Sequence, residues 1–360
     1  MISMKLLAFL LLLVLFLSGC GLSLNQPAVG PDGTIAVFLD ETGTYDFLLE
    51  GGILTLLSDD GTAQIERADP AIPASALDWS LDGAELLFGE TELGGEWGAP
   101  SAWNLCVTEP WADSEPLTLL SSVEPITNAA FTAEGNVTYL VFDDEGSGAL
   151  MLLDRAEDTQ TCLLRNVLSY QPAVSKLSLT VIQLDESEGF PKARVSTYVL
   201  ATGEMEPIAS FLLTVQMEEI LAALGCFLWD MDSSGTCLAL ALYDQLLIDP
   251  EVEVDAPSLY LVDTIEETGR RIALLAVMPA FSPDGSLLAY VSVEDEQDSA
   301  VYLYNRETEE KEKVPNSDGA VALFWIDERT LGLTFETDDE TYQLMKILLE
   351  TGELLPLTGS

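Results

Sequence analysis

The sequence predicts an all-β fold, a β-propeller of four-stranded antiparallel blades, seven in number with six as the alternative. Three observations predict it. The stretch FSPDGSLLAYVS, Phe281 to Ser292, joins a strand-end aromatic, a Pro-Asp-Gly turn and an apolar run that suits a buried strand. Worn copies recur at AVGPDGTIAVFL from Ala28, WSLDGAELLF from Trp79, FTAEGNVTYLVF from Phe131, WDMDSSGTCLALAL from Trp229 and WIDERTLGLTF from Trp325, and such repetition marks a repeat array. The runs after the turns are almost continuously apolar, which suits strands covered on both faces by neighbouring blades rather than the half-exposed strands of a sandwich.

The N-terminus stands outside that pattern. Lys5 gives a positive start, Leu6 to Leu17 gives an apolar run short for a membrane span, and Leu17-Ser18-Gly19-Cys20 follows at once. These residues resemble the bacterial lipoprotein signal, or lipobox. The resemblance implies cleavage before Cys20 and a diacylglycerol on its thiol, so residues 1–19 are expected to be a signal peptide and 20–27 a lipidated tether. The other reading is a plain secretory signal or membrane anchor. Seven residues, Gly21 to Pro27, reach at most roughly 25 Å, which keeps the globular part near the bilayer. In such lipoproteins an Asp after the lipidated Cys tends to retain the chain at the inner membrane; Gly21 stands there instead and leaves inner and outer membrane both open.

Residues 28–360 read as one propeller domain of similar units. Each unit begins with an apolar strand ending in a bulky residue, with Val29, Trp79, Phe131, Val174, Trp229, Phe281 and Trp325 placed in one slot. A tight turn follows, then a second apolar strand such as Thr34 to Leu39 or Leu287 to Val293. A third strand comes after a polar loop, as in Val195 to Leu200, Val301 to Tyr304 and Tyr342 to Leu348; the turns Thr202-Gly203-Glu204 and Thr351-Gly352-Glu353 lead to a fourth. The fourth unit, PAVSKLSLTVIQLD from Pro172, lacks Asp-Gly, and it decides between six blades and seven. The period and the Ser-Pro-Asp-Gly turn resemble the TolB-type, WD40-like propeller repeat, also found in propeller domains of prolyl-oligopeptidase relatives. That resemblance implies the fold and, by analogy alone, a binding or scaffolding role in the cell envelope.

Composition narrows the chemistry. There are 61 acidic residues against 14 basic ones, a net charge of −47, and no histidine. Without a cationic surface to release counterions, a nucleic-acid partner is excluded. Without imidazole there is no Ser-His-Asp or Cys-His machinery and no His metal ligand, and neither a Gly-x-Ser-x-Gly elbow nor a phosphate-binding Gly-rich loop is present. No catalysis of its own, no cofactor and no metal site are therefore expected. Asp230 to Gly235 partly matches a calcium loop, but Ala241 stands where the bidentate Glu belongs, which makes it a lengthened hairpin turn. Cys226 and Cys237 flank this hairpin; a disulfide and two buried thiols are both open.

Charge follows the blade topology. The loops between second and third strands share one end of the disc and are acidic in every unit, among them Asp143, Asp144 and Glu145, and Glu294, Asp295 and Glu296. Arg155, Lys176, Arg270, Arg271, Arg306, Lys311, Lys313 and Arg329 fall at or near the opposite end. Trp97 and Trp103 are placed in an enlarged loop of the second unit, with Trp111 in its next connection, and VQMEEILAALG from Val215 reads as a short helix. The expected function is a membrane-tethered, extracytoplasmic, non-catalytic protein-binding or scaffolding module. Its acidic face would take a basic protein or divalent cations. The alternative is a lipoprotein that binds a carbohydrate, peptide or cation, or a cryptic hydrolase, working through the same acidic, Trp-bearing face.

Overall fold

The computed structural model describes residues 23–24 and 27–357, apart from 41–44, 46–47, 50–51, 59–60, 65–71, 94–99, 113–114, 144–146, 186–191, 213–227, 250–251, 267, 293–298 and 338–340. Seven four-stranded antiparallel sheets form a ring, each built from strands in chain order: 28–64, 72–122, 126–165, 167–212, 229–274, 276–313 and 320–356. They are blades 1 to 7. A further small sheet pairs Ser23–Leu24 with Leu48–Leu49, in the second-to-third connection of blade 1.

The continuous apolar character of the second strands has the expected cause. In blade 1 the strand Ile35–Leu39 is buried at all five positions. Ala36 and Phe38 belong to a cluster with Trp79, Leu86 and Phe88 of blade 2. Ile35, Val37 and Leu39 belong instead to the cluster holding Leu331, Leu333 and Leu344 of blade 7. Alternate residues thus face alternate blades, and apolar packing closes the ring where the first unit meets the last. Each of these side chains larger than alanine contributes roughly 1.5–3 kcal/mol by burial.

The fourth unit keeps the turn despite lacking Asp-Gly. The amides of Gly33, Gly83, Gly135, Gly235 and Gly285 each donate to the carbonyl of the first turn residue, Gly30, Ser80, Thr132, Asp232 and Ser282, and all five glycines have positive φ. In blade 4 the amide of Lys176 donates to Ala173 at 2.7 Å, and Lys176 itself takes the left-handed conformation, φ 55°. A lysine there costs about 1 kcal/mol in backbone strain, yet the hairpin forms.

Counting back from these turns corrects two slot assignments. The strand-end slot holds Val29, Trp79, Phe131 and Phe281 as expected, but Pro172 in blade 4 and Met231 in blade 5. Val174 lies on the turn, 67% exposed. Trp229 sits two residues before the slot, fully buried, with its indole Nε1 donating to Ser169 Oγ at 3.1 Å. The turn from Asp232 is consequently no longer than those from Ser80 and Ser282, since all three close between residues five apart. It is one residue longer than the turns of blades 1 and 3, which close between residues four apart, and so is lengthened only relative to those. Cys237 at its end is a buried free thiol whose pKa burial pushes up to about 11, and Cys226 lies outside the described residues.

Blade 5 differs from expectation at the acidic end. Its second-to-third connection, expected to be an acidic loop like the others, continues the ladder: Cys237–Asp249 and Val252–Asp263 pair out to Asp249 and Val252. No described helix is long and apolar enough to cross a membrane; Leu6 to Leu17 lies outside the described residues.

Candidate functional site

The turn end of the disc carries two joints built alike. Asp78 and Asp230 each stand one residue before the slot, in blades 2 and 5. Asp78 Oδ2 accepts the amide of Phe131 in blade 3 at 2.8 Å, and Asp230 Oδ2 accepts the amide of Phe281 in blade 6 at 2.7 Å. An arginine from the third-to-fourth turn of the later blade then covers that phenylalanine. Arg155 lies 5.8 Å from the Phe131 ring centroid and forks onto Glu85 of blade 2 at 2.7 and 2.8 Å. Arg306 lies 5.5 Å from the Phe281 centroid and donates to Asp232 of blade 5 at 2.8 Å. Both guanidinium groups also donate to the carbonyl of the left-handed glycine in their own blade, Gly135 and Gly285. Carboxylate, backbone amide, ring and cation together tie consecutive blades.

The joints differ at the aspartate as well as in the carboxylate that takes the arginine. Lys176, from the turn of blade 4, reaches across blade 3 to place its Nζ 2.5 Å from Asp78 Oδ2 and 6.0 Å from the Phe131 ring centroid. Two blades beyond Asp230 the corresponding turn is the short Asp327-to-Thr330 hairpin, and its cation, Arg329, pairs with Glu350 at 2.8 Å. Among the described residues no lysine or arginine pairs with Asp230. Burial pushes its carboxyl up to about 7, although the amides of Phe281 and Met231 pull the other way. At Asp232 burial also works upward, but the Cys237 amide, the Ser234 hydroxyl and Arg306 outweigh it and hold the carboxyl below its usual range.

This difference gives Asp230 a pH signature. A carboxyl whose folded pKa lies above its unfolded value binds more protons folded than unfolded between the two. Stability is therefore greatest below the ordinary Asp value and falls as pH rises from about 4 through about 7. Asp230→Asn is expected to flatten that slope, by on the order of 2 kcal/mol after allowing for partial exposure. Urea midpoints at pH 5 and pH 8 measure it; equal slopes in both proteins would mean that Asp230 titrates normally.

Beside Asp230 lies a cavity of about 510 Å³ between blades 4 and 5, which also reaches the turn of blade 6. Thr180, Thr197 and Glu206 line it from blade 4; Asp230, Asp232 and Phe281 line it opposite. Among the described residues no group of three or more His, Cys, Asp or Glu is placed to hold a metal ion. The same end exposes large apolar side chains on the turns of blades 2, 4 and 5: Leu81, Trp111, Val174, Leu177 and Ile265, each more than half exposed.

The residues singled out from sequence are distributed otherwise. Asp143 is exposed after the strand Val137–Phe142, and its Oδ1 accepts the Ser147 amide at 2.8 Å. Trp103 lies on the strand Pro100–Thr108 rather than in a loop, half-buried against the cluster between blades 2 and 3. Cys20, Trp97, Asp144, Glu145, Glu294, Asp295, Glu296 and the segment from Val215 to Gly225 lie outside the described residues. At the other end, Arg155, Lys176, Arg306 and Arg329 do lie on turns, whereas Arg270, Arg271, Lys311 and Lys313 lie on outer strands. The joint carboxylates were missed from sequence. The signal was present: an Asp one residue before the slot in two units whose successors carry Phe in the slot.

No protein-family model matches the sequence, and a search of curated proteins finds no relative. Solved structures are similar in fold. Tricorn protease aligns with a TM-score of 0.61 at 9% identity over 94% of this chain, which spans only 34% of that one. The β-propeller domain of the Trilobed protease from Pyrococcus furiosus aligns at 0.60 and 14% identity over 94% of this chain and 96% of that one. TolB from Acinetobacter baumannii aligns at 0.49 and 12% identity over 93% and 79%, too loosely to carry an argument. At such identities the likeness shows the fold alone. The chain is a seven-bladed β-propeller, and what it does must be argued from its own surfaces.

Proposed function

We infer that the chain is a lipid-anchored, extracytoplasmic propeller that acts as a non-catalytic protein-binding module of the cell envelope. The observation that carries this reading is the turn end. Leu81, Trp111, Val174, Leu177 and Ile265 expose large apolar side chains on the turns of blades 2, 4 and 5 at that end, on a chain otherwise rich in charge, and exposed apolar side chains are what a protein partner can cover. Tether geometry supports the same end. Ser23–Leu24 pairs with Leu48–Leu49 in the second-to-third connection of blade 1, at the acidic end of the disc. A lipid on Cys20, at most about 10 Å further along the chain, would hold that end toward the bilayer and turn the apolar end outward to partners. The acidic end, with Asp143, Asp144, Glu145, Glu294, Asp295 and Glu296, is then left to divalent cations or to a basic protein near the headgroups.

Two measurements test the reading. Cys20→Ala should lose incorporation of an alkyne-labelled fatty acid and leave the membrane fraction, whereas full labelling of the variant would remove the anchor. A cross-linked pull-down from the cell envelope should recover a stoichiometric protein with the native chain and lose it with Trp111→Ser, Val174→Ser and Ile265→Ser combined. A partner retained by the triple variant would move the binding surface off the turn end, and no partner with either chain would end the protein-binding reading.

A further inference from the structure

We propose that the cavity between blades 4 and 5 is a binding site for a primary ammonium on an alkyl stem, the side chain of a lysine presented by a partner protein, with Asp230 as its counterion. The template is in the chain itself. At the sister joint, Asp78 holds the next blade through the Phe131 amide and takes the ammonium of Lys176 at 2.5 Å, over the same phenylalanine ring. Asp230 holds the next blade in the same way through the Phe281 amide. Among the described residues no lysine or arginine pairs with it, and it lines, with Phe281, the cavity of about 510 Å³ on its blade 4 side, whereas Lys176 comes to Asp78 from a later blade.

The lining suits a lysine better than other cations. Met231, Pro172 and Phe281 offer apolar surface to a methylene stem, while Thr180, Thr197 and Glu206 offer acceptors to the three hydrogens of an ammonium. Of the other two carboxylates of the lining, Glu206 is exposed at the rim and adds an acceptor, while Asp232 is already engaged by Arg306, the Cys237 and Thr236 amides and the Ser234 and Thr236 hydroxyls, so it does not compete. A planar guanidinium would seek a bidentate carboxylate, and Asp230 has one oxygen on each of two backbone amides. The raised carboxyl of Asp230 fits as well, because a half-buried carboxylate without a cation is one that a cation binds. The deposit of charge over the whole chain cannot imitate this selectivity, since a single carboxylate is a small part of a net −47.

This inference deepens the protein-binding reading by naming the group a partner would present, but its test does not depend on finding that partner. The probe is acetyl-Ala-Lys-Ala-amide, titrated against the full chain in non-ionic detergent at about 0.15 M salt, where loose attraction to surface charge is screened, and followed by ligand-observed NMR. The lysine peptide should bind about tenfold or more tightly than its norleucine counterpart and than the arginine peptide. Asp230→Asn should weaken it by a similar factor. Because Asp230 also holds two backbone amides, a second variant leaves it in place: Ser175→Trp, on an exposed turn of the cavity wall, should abolish binding by filling the entrance. Equal binding of lysine and norleucine peptides, or undiminished lysine binding in Ser175→Trp, would overturn the site. A cell-envelope partner captured equally by the native chain and by both variants would leave the protein-binding reading standing and remove this site from it.

Discussion

Gly148→Ala will destabilise the chain by roughly 3 kcal/mol or more, the largest loss expected from adding one methyl group. Gly148 opens the third strand of blade 3, Gly148–Asp154, buried where the chain crosses into blade 4. A Cβ built there would lie 1.9 Å from the carbonyl oxygen of Val167, the first residue of blade 4. The obstacle is backbone, so no rotamer relieves it. Two sheets would have to part, at a seam where Leu140, Leu150, Val167 and Tyr170 pack together. Gly332 supplies the contrast. Its Cβ would meet the Phe324 ring at 2.1 Å, directly opposite in the ladder, but a ring can be exchanged. Phe324→Leu combined with Gly332→Ala should recover much of what Gly332→Ala alone loses, while no side-chain substitution should rescue Gly148→Ala. Urea unfolding of the set decides it; a Gly148→Ala chain within about 0.5 kcal/mol of the native one would show the seam to be loose.

That seam was invisible in the sequence, whereas the ring around it was largely legible. The glycine turn recurs because five hairpins need a left-handed residue at the same place, and only glycine takes it without strain. The fourth unit looked doubtful because Lys176 fills that place. The structure explains the exception: the lysine is tolerated in a strained conformation where its ammonium meets Asp78. Unit 5 was aligned on the wrong residue because Trp229 resembles Trp79, and indole identity outweighed spacing. With Trp229 in the slot, Asp230 fell on the turn side. With Met231 there, Asp230 aligns with Asp78 and the joint repeats.

The candidate site was harder to read for a different reason. With 61 carboxylates in the chain, no single Asp stands out, and what distinguishes Asp78, Asp230 and Asp232 is burial and partners. The acidic loops announced themselves by composition and drew the argument to the far end of the disc. The apolar residues of the turn end are scattered through the sequence from Leu81 to Ile265. Only the blade topology gathers them.

Arg306→Met should cost roughly 3 kcal/mol, and Arg155→Met, its counterpart in the sister joint, only about 1. The arginines do the same work, so the difference rests on the carboxylates. The Asp232 side chain is 2% exposed while that of Glu85, the partner of Arg155, is 29% exposed. Removing Arg306 takes the cation from a carboxylate that is almost out of water and leaves it only neutral donors; removing Arg155 leaves one that water can solvate. The pH dependence follows. Because the Asp232 carboxyl is held below its ordinary value, its ionised form contributes stability that is full above the unfolded value near 4 and is lost as pH falls through the folded one. Without Arg306 the folded value rises, so acid unfolding of Arg306→Met should begin at a higher pH than in the native chain. Adding Asp232→Asn removes the stranded charge and should restore part of the stability at neutral pH, giving a coupling between the two positions well above zero. If the double variant is instead as unstable as the sum of the two single ones, the pair does not act as a unit. The fifth and sixth blades would then be held by the Asp230–Phe281 bond, by Arg270 on Glu309 and Tyr304, by the Ser292–Leu274 bond and by apolar packing.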